Sequence, residues 1–231
     1  MIHGKKYRAV KEKVSKENRY AVETAIEFLK ENPTANFDET FEIALKMGLD
    51  PTKSDQAVRS TVALPHGTGK DVRVIVFATG AAAEAAKGAG ATEVGFEDLL
   101  AKVMGGWMDF DVVVATTEAM KEVRKAARIL GPRGLMPNPK TGTVTDDTAT
   151  AVKQLKAGRV EFRMDRNGNI MVPFGKRSFT TEALAENFRS VYGAILAAKP
   201  DSAKGVYIKR CTIATTMGPG LHVDVKETAA A

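Results

Sequence analysis

Cysteine is almost absent. The single Cys211 among 231 residues can form no internal disulfide and no cysteine-based metal cluster, which fits a reducing compartment. Flanked by apolar residues on an expected strand, it reads as a buried, inert thiol. Histidine is nearly as scarce. Of His3, His66 and His222, none has a cysteine or carboxylate at ligand spacing, and His66, between Pro65 and Gly67, reads as a loop residue. No run of about 18 apolar residues occurs, so no helical membrane span is expected. The stretch MIHGKKYRAVKEKV carries cations without the apolar centre of a secretory leader, and a cytoplasmic protein is expected.

Enzyme signatures are missing too. HGTGKD has the look of a phosphate loop, but Leu64 stands where the first glycine of GxxxxGK[ST] belongs and Asp71 where the hydroxyl belongs. KGAGATE offers Gly88 and Gly90, yet Glu93 occupies the third glycine position and the pair follows a helix instead of opening one. No acid–base pair or activated nucleophile emerges, and no cofactor is called for. A nucleotide- or phosphate-using enzyme built on the middle of the chain is the rival class, and it would need one of these motifs intact.

What is present is a modest basic excess, 34 Lys and Arg against 28 Asp and Glu for a net charge of +6. This favours a polyanionic partner without specifying which. Lys5, Lys6, Arg8, Lys11, Lys13, Lys16 and Arg19 cluster near the start, read either as phosphate contacts or as a solvated helix face. Between Ile129 and Val144, ILGPRGLMPNPKTGTV gathers three of the nine prolines together with Gly131, Gly134 and Gly142. Fixed φ at proline and permissive φ at glycine give a loop of one defined shape, either a structural corner or a presented surface. Arg124, Lys125 and Arg128, with Arg133 and Lys140 in the loop, form a second basic surface or simply a solvated one.

The pattern predicts an α/β protein of two domains. From Asp71, DVRVIVFATG, EVGF and DVVVAT read as strands, alternating with helices over AAAEAAKGAGA, FEDLLAKVMGG and EAMKEVRKAARILG. Strands separated by helices call for parallel pairing, a three-layer α/β/α, Rossmann-like unit over 67–159. On either side, AVKEKV and YAVETAIEFLKENP read as helices, and NFDETFEIALKMG and SDQAVRSTVALP as strands. RVEFRMDRNGNIMVPFGK reads as a hairpin turning at Asp165 to Gly168, followed by a helix from Thr180 to about Lys199 and the strand GVYIKRCTIATTMG. Neither flank closes alone. Residues 1–66 and 160–231 are therefore expected to form one discontinuous α+β domain, an antiparallel sheet covered on one face, with glycine-containing hinges at LPHGTGK and LKAGR.

Two features of the flanks suit RNA. In TTMGPG, Thr215 and Thr216 offer small hydroxyls, Met217 an adaptable apolar surface, and Gly218 and Gly220 a bare backbone, a set matched to an RNA minor groove read by shape and 2′-OH groups. The alternative is a strand that ends in a turn. Phe37 opens a strand where it could stack on a base or join the core, and its neighbours Asp38 and Glu39 could accept hydrogen bonds or orient a threonine.

Read together, HGKKYR, ANFDET, SDQAVRSTVALPHGTGK, GPRGLMPNPKTGTV and TTMGPG resemble, in order and over nearly the whole chain except the KETAAA tail, a bacterial large-subunit ribosomal protein family. It is the first in the large-subunit series, which sits on a mobile rRNA stalk. The resemblance implies a structural, non-enzymatic protein, monomeric when free, that binds 23S rRNA. It further implies help in releasing deacylated tRNA from the exit site and repression of the protein's own messenger. Its rRNA face, carried over by position, consists of Phe37, Thr40, Glu42, Thr216, Met217 and Gly218, with Arg163, Asp165 and Lys176 on and beside the hairpin. One departure is Met171, where relatives often carry a histidine.

Overall fold

The computed structural model describes residues 4–15 and 18–224; His3, Lys16 and the KETAAA tail lie outside the described residues. In chain order come helices α1 (Lys5–Glu12) and α2 (Val22–Glu31) and strands β1 (Thr40–Met47) and β2 (Arg59–Ala63). Next are β3 (Val74–Phe77), α3 (Gly80–Gly88), β4 (Glu93–Gly95), α4 (Glu97–Met104), β5 (Val112–Ala115), α5 (Met120–Val123), α6 (Ala127–Leu130) and α7 (Thr148–Lys156). Then follow β6 (Arg159–Arg163), β7 (Asn169–Lys176), α8 (Thr181–Ala197), β8 (Ile208–Thr215) and β9 (Leu221–Val223). The chain is α/β and divides into two compact units. One joins the residues up to Gly69 to those from Val160 onward, and the other runs from Lys70 to Arg159.

The split unit is organised by the alternation in β1. Phe41, Ile43, Leu45 and Met47 point to one face and are buried, while Thr40, Glu42, Ala44 and Lys46 face the other way, the period of two that a half-buried strand requires. β1 lies in the middle of an antiparallel sheet ordered β7-β1-β8-β9. The register sets Ile43 opposite Val172 on one side and Ile213 on the other, and Leu45 opposite Ile170 and Cys211. Helices α2 and α8 cover that face. From α8 come Leu184, Phe188, Val191 and Ile195, and from α2 Ala25, Ile26 and Leu29, all buried in the same cluster. Edge-to-face packing of Phe174 on Phe41 (5.8 Å) and on Phe188 (5.8 Å) locks the layers. Thr180 caps α8 by accepting the Ala183 N–H at 3.2 Å.

The split unit retains the first crossing as far as Gly69, beyond the expected boundary at 66. Asn187 on α8 is the cause. Fully buried, it accepts the His66 N–H and donates to the carbonyls of Gly67 (3.1 Å) and Phe174 (2.8 Å), satisfying backbone groups that the crossing would otherwise leave unpaired. So Gly67, the first glycine of LPHGTGK, is tied to the core.

The expected hairpin is corrected. Asp165 and Asn169 do close a turn, with the Asp165 N–H donating to the Asn169 carbonyl at 2.8 Å and Gly168 at φ +72°. The two strands nevertheless part: β6 pairs with β2 in a separate two-stranded sheet, and β7 pairs with β1. Ile170, Val172 and Phe174 alternate for burial under α8, and only pairing with β1 puts them there.

In the other unit, β3 lies between β4 and β5 in a parallel sheet. Ile75 and Phe77 join Leu99, Val103, Val113 and Leu130 on one face. Val74 and Val76 join Ala86, Val152 and Leu155 on the other, giving three layers. The helix expected over EAMKEVRKAARILG is broken, because Arg124–Ala126 tightens into a 3-10 turn between α5 and α6. Buried Val123 and Ala126 are three residues apart, the period of a 3-10 turn. Helix α7 went unanticipated, although Asp147 caps it by accepting the Thr150 N–H at 3.1 Å. The Pro/Gly loop is held by short-range bonds. Asn138 Oδ1 accepts the Lys140 N–H (2.8 Å), the Asn138 N–H reaches Thr143 Oγ1 (2.8 Å), and Gly142 takes φ +66°. Val144 then adds to β5 beside Ala115 in a parallel bridge.

Candidate functional site

At one end of the split sheet the two flanks of the chain meet. The bonds that join them run between residues about 175 positions apart: the Thr40 N–H donates to Thr216 Oγ1 at 3.0 Å, and the Met217 N–H donates to Glu39 Oε1 at 3.2 Å. Glu39 itself is completely buried. The same Oε1 accepts from Thr34 Oγ1 (3.0 Å), the Glu39 carbonyl accepts the Arg177 N–H (2.9 Å), and Arg177 Nη1 lies 3.6 Å from Oε2. Burying a charged carboxylate is unfavourable unless it is paired and hydrogen-bonded. Here hydrogen bonds to Oε1 recruit Thr34 and Met217, and the Glu39 carbonyl together with the ion-pair contact of Oε2 recruits Arg177, so the residue acts as a clasp, with Oε2 and Arg177 Nη1 facing each other without a hydrogen bond. Around it, Asp38 caps the turn after β7 by accepting from Ser178 N–H (3.0 Å) and Oγ (2.8 Å).

The outward surface of this end combines apolar and hydroxyl groups. Phe37 is 51% exposed and Met217 57%. Neither is a core residue, and Phe37 precedes β1 instead of lying on it as the strand reading held. Thr40 stands opposite Lys176 in the register, and the Lys176 ammonium donates to Thr40 Oγ1 at 2.8 Å, which fixes the hydroxyl and places a cation beside it. Thr215 is buried, whereas Thr216 is exposed. The reason glycine is needed at 218 is internal: a Cβ there would sit 2.2 Å from Thr215 Oγ1, inside the turn closed by the Gly218 N–H to Thr215 carbonyl bond of 3.1 Å.

Phe37, Thr40, Lys176, Thr216, Met217 and Gly218 are thus brought together, with Glu42 exposed one pleat further along β1. Arg163 and Asp165 are not. Asp165 is bonded to Asn169, which pairs with Lys46 near the far end of β1, roughly 20 Å away at the usual rise per strand residue, and Arg163 ends β6 two residues before Asp165. Asp165 also spends its carboxylate inside the turn, accepting from the N–H groups of Asn167 and Asn169, both at 2.8 Å. The backbone hydrogen bond from Asn169 holds its carboxyl below the ordinary range.

Between these ends runs the uncovered face of the sheet, which sequence reasoning missed. Lys46, Asn169, Met171, Arg210 and Thr212 line a shallow depression of about 530 Å³ on it. Met171 is exposed at 62%, and no cation there is ion-paired among the described residues. The signal was available in the outward half of each alternating strand, which the reading used only to find the core. Buried Cys211, pushed up to about 12 by burial, is inert as expected. No cluster of metal-ligating side chains occurs among the described residues, and none of their helices is long and apolar enough to cross a membrane.

Comparison with known proteins gives a consistent result. The profile described as Ribosomal protein L1p/L10e family matches residues 29–219. Large ribosomal subunit protein uL1 of Lactobacillus delbrueckii subsp. bulgaricus is 55% identical over 222 residues, 96% of each chain. The protein of the same description from Cutibacterium acnes is 54% identical over 224 residues, 97% of each.

Proposed function

Because this chain belongs to the ribosomal protein L1p/L10e family and is a structural constituent of the large ribosomal subunit, we propose that the joined end of its split unit grips a prefolded segment of 23S rRNA. The observation that carries the reading is the closure of Glu39 and Thr40 onto Thr216 and Met217. It presents an exposed phenylalanine, an exposed methionine and fixed hydroxyls as one rigid surface. Such a surface matches an RNA minor groove, where 2′-OH groups and sugar faces are read by shape. Phe37 stacks or wedges against a nucleotide. Thr40 and Thr216 exchange hydrogen bonds with 2′-OH groups, and Lys176 lends a cation. Glu42 accepts from a 2′-OH or a base amino group. Arg163, exposed at the end of β6 in the two-stranded sheet, contacts phosphate beyond this end, while Asp165 keeps the turn that follows it.

The split arrangement, one domain from the residues up to Gly69 and from Val160 onward with an inserted one between, divides the labour. The split domain holds the rRNA of the stalk, and the insert faces transient ligands, assisting the departure of deacylated tRNA from the exit site. Off the ribosome, the monomeric cytoplasmic protein binds a copy of the rRNA site on its own messenger and represses translation. Filter binding of the full chain to stalk rRNA and to its own leader mRNA, over a range of salt, tests this. Specific binding of both, with a modest salt slope, is expected. Binding no tighter than to an unrelated hairpin would overturn it.

A further inference from the structure

A second pocket adjoins the joined end. Helix α1 and β9 enclose a cleft of about 610 Å³ whose wall includes Tyr7, Arg8, Lys11, Glu12, Gly220 and His222. Two short links connect it to the site above: Lys6, beside Tyr7, reaches the side chain of Asn36, next to Phe37, and Gly220 follows Met217 by three residues. Its chemistry is mixed. Arg8 has no ion-pair partner among the described residues, and the Lys11 ammonium lies 5.9 Å from the centroid of the Tyr7 ring. Thr212 Oγ1 contacts His222 Nδ1 at 3.1 Å and sets the imidazole, leaving Nε2 without a partner among the described residues.

Glycine at 220 protects that arrangement, since a Cβ there would come within 2.9 Å of Thr212 Cγ2 and displace the side chain that orients the ring. Burial, with Arg210 and Arg19 nearby, holds the His222 imidazole below the ordinary histidine range, so the neutral, stackable ring faces the cleft at neutral pH.

We propose that this cleft is a nucleotide pocket, taking one base of the bound RNA and its phosphate beyond the Thr40–Met217 end. It rests on the RNA-binding reading above. An inorganic anion would need only the cations. Two ring systems suit the π-face of a base, Glu12 is an acceptor suited to an exocyclic amino group, and Arg8 and Lys11 suit the adjoining phosphate.

The test is binding of the full-length protein to a stalk rRNA fragment at several salt concentrations, comparing Tyr7→Ala, Arg8→Gln and, as a reference for the other end, Thr216→Ala. Tyr7→Ala is expected to weaken binding about tenfold with the salt slope unchanged, the signature of a lost stack. Arg8→Gln is expected to lower the slope by about one. Should Tyr7→Ala perturb the fold by circular dichroism, the slope of Arg8→Gln decides. Wild-type behaviour of both cleft variants beside a weakened Thr216→Ala overturns the pocket and leaves the functional reading standing. A wild-type chain that does not bind the fragment removes both.

Discussion

The two loops that stood out in the sequence, the TTMGPG segment and the Pro/Gly loop after α6, are built on opposite principles. The second is closed by bonds between residues two to five apart, centred on Asn138, Thr141 and Thr143. The first takes its shape from partners some 175 residues away, through Glu39 and Thr40. The first of these therefore needs both flanks of the chain to have folded together, whereas the Pro/Gly loop needs only its own unit, where Thr143 and Val144 dock on Ala115 of β5. The difference ties the surface proposed for RNA to the folding of the split unit and the Pro/Gly loop to the folding of the other unit.

Glu39→Ala should have the largest effect. It strands the Met217 N–H, the Thr34 hydroxyl and the Arg177 guanidinium, and breaking a buried charged pair by removing one partner costs about 3–5 kcal/mol. Urea unfolding monitored by circular dichroism would measure it, and Glu39→Gln, which keeps an acceptor, should cost less. A loss under about 1 kcal/mol would mean that the clasp does not hold the flanks together.

Next come Thr216→Ala and Met217→Ala, each expected to weaken rRNA binding by about 1–3 kcal/mol in filter binding. Thr216→Ala also removes a bond to β1 and should lower stability by about 1 kcal/mol, which separates it from Met217→Ala. Replacing residues 70–159 by a short linker should leave a cooperatively folded, RNA-competent protein, because Asn187 and its partners at His66 and Gly67 are retained. An insoluble product would show that the flanks need the insert.

Asn138→Ala should destabilise only the insert, by about 1 kcal/mol, with rRNA affinity unchanged; a loss of affinity would erase the contrast between the loops. The smallest effect concerns Asp111. Its partial burial alone would raise the carboxyl, but hydrogen bonds from Lys70 (2.7 Å) and Arg73 (3.1 Å) hold it at about 2. A folded-state value below the unfolded one contributes stability that is complete above about pH 4 and is lost as pH falls toward 2. Wild type and Asp111→Asn should therefore differ in urea midpoint at pH 7 and converge near pH 2.

Much of the fold was legible because it rests on periodicity. The inward residues of β1, the helical pattern of α8 and the alternation of strands and helices from Asp71 each carry their own evidence in spacing. The misses share a cause. The divergence of β6 from β7 follows from which sheet can bury Ile170, Val172 and Phe174, the break between α5 and α6 from the spacing of Val123 and Ala126 against the sheet, and the exposure of Phe37 from its place outside β1. None is a property of a short window. The site divides likewise. Phe37, Thr40, Thr216 and Met217 were named through their residue types and a family resemblance, and the structure joins Thr40, Thr216 and Met217 at one end of the sheet. The outward residues of the uncovered sheet face were legible in the alternation of each strand, but their assembly into one depression, and the cleft at His222, join residues from distant strands and helices that no local pattern announces.

By itself, then, the order of residues determined the alternating faces, the succession of strands and helices in the insert and the local closure at Asn138, because each depends on neighbours within a few positions. Only the tertiary structure decided that Glu39 would be buried, that Met217 would donate to it, and that Gly218 would be required by Thr215. Those outcomes depend on desolvation and close packing between segments that the chain separates by most of its length, and such energies exist only once the segments have met.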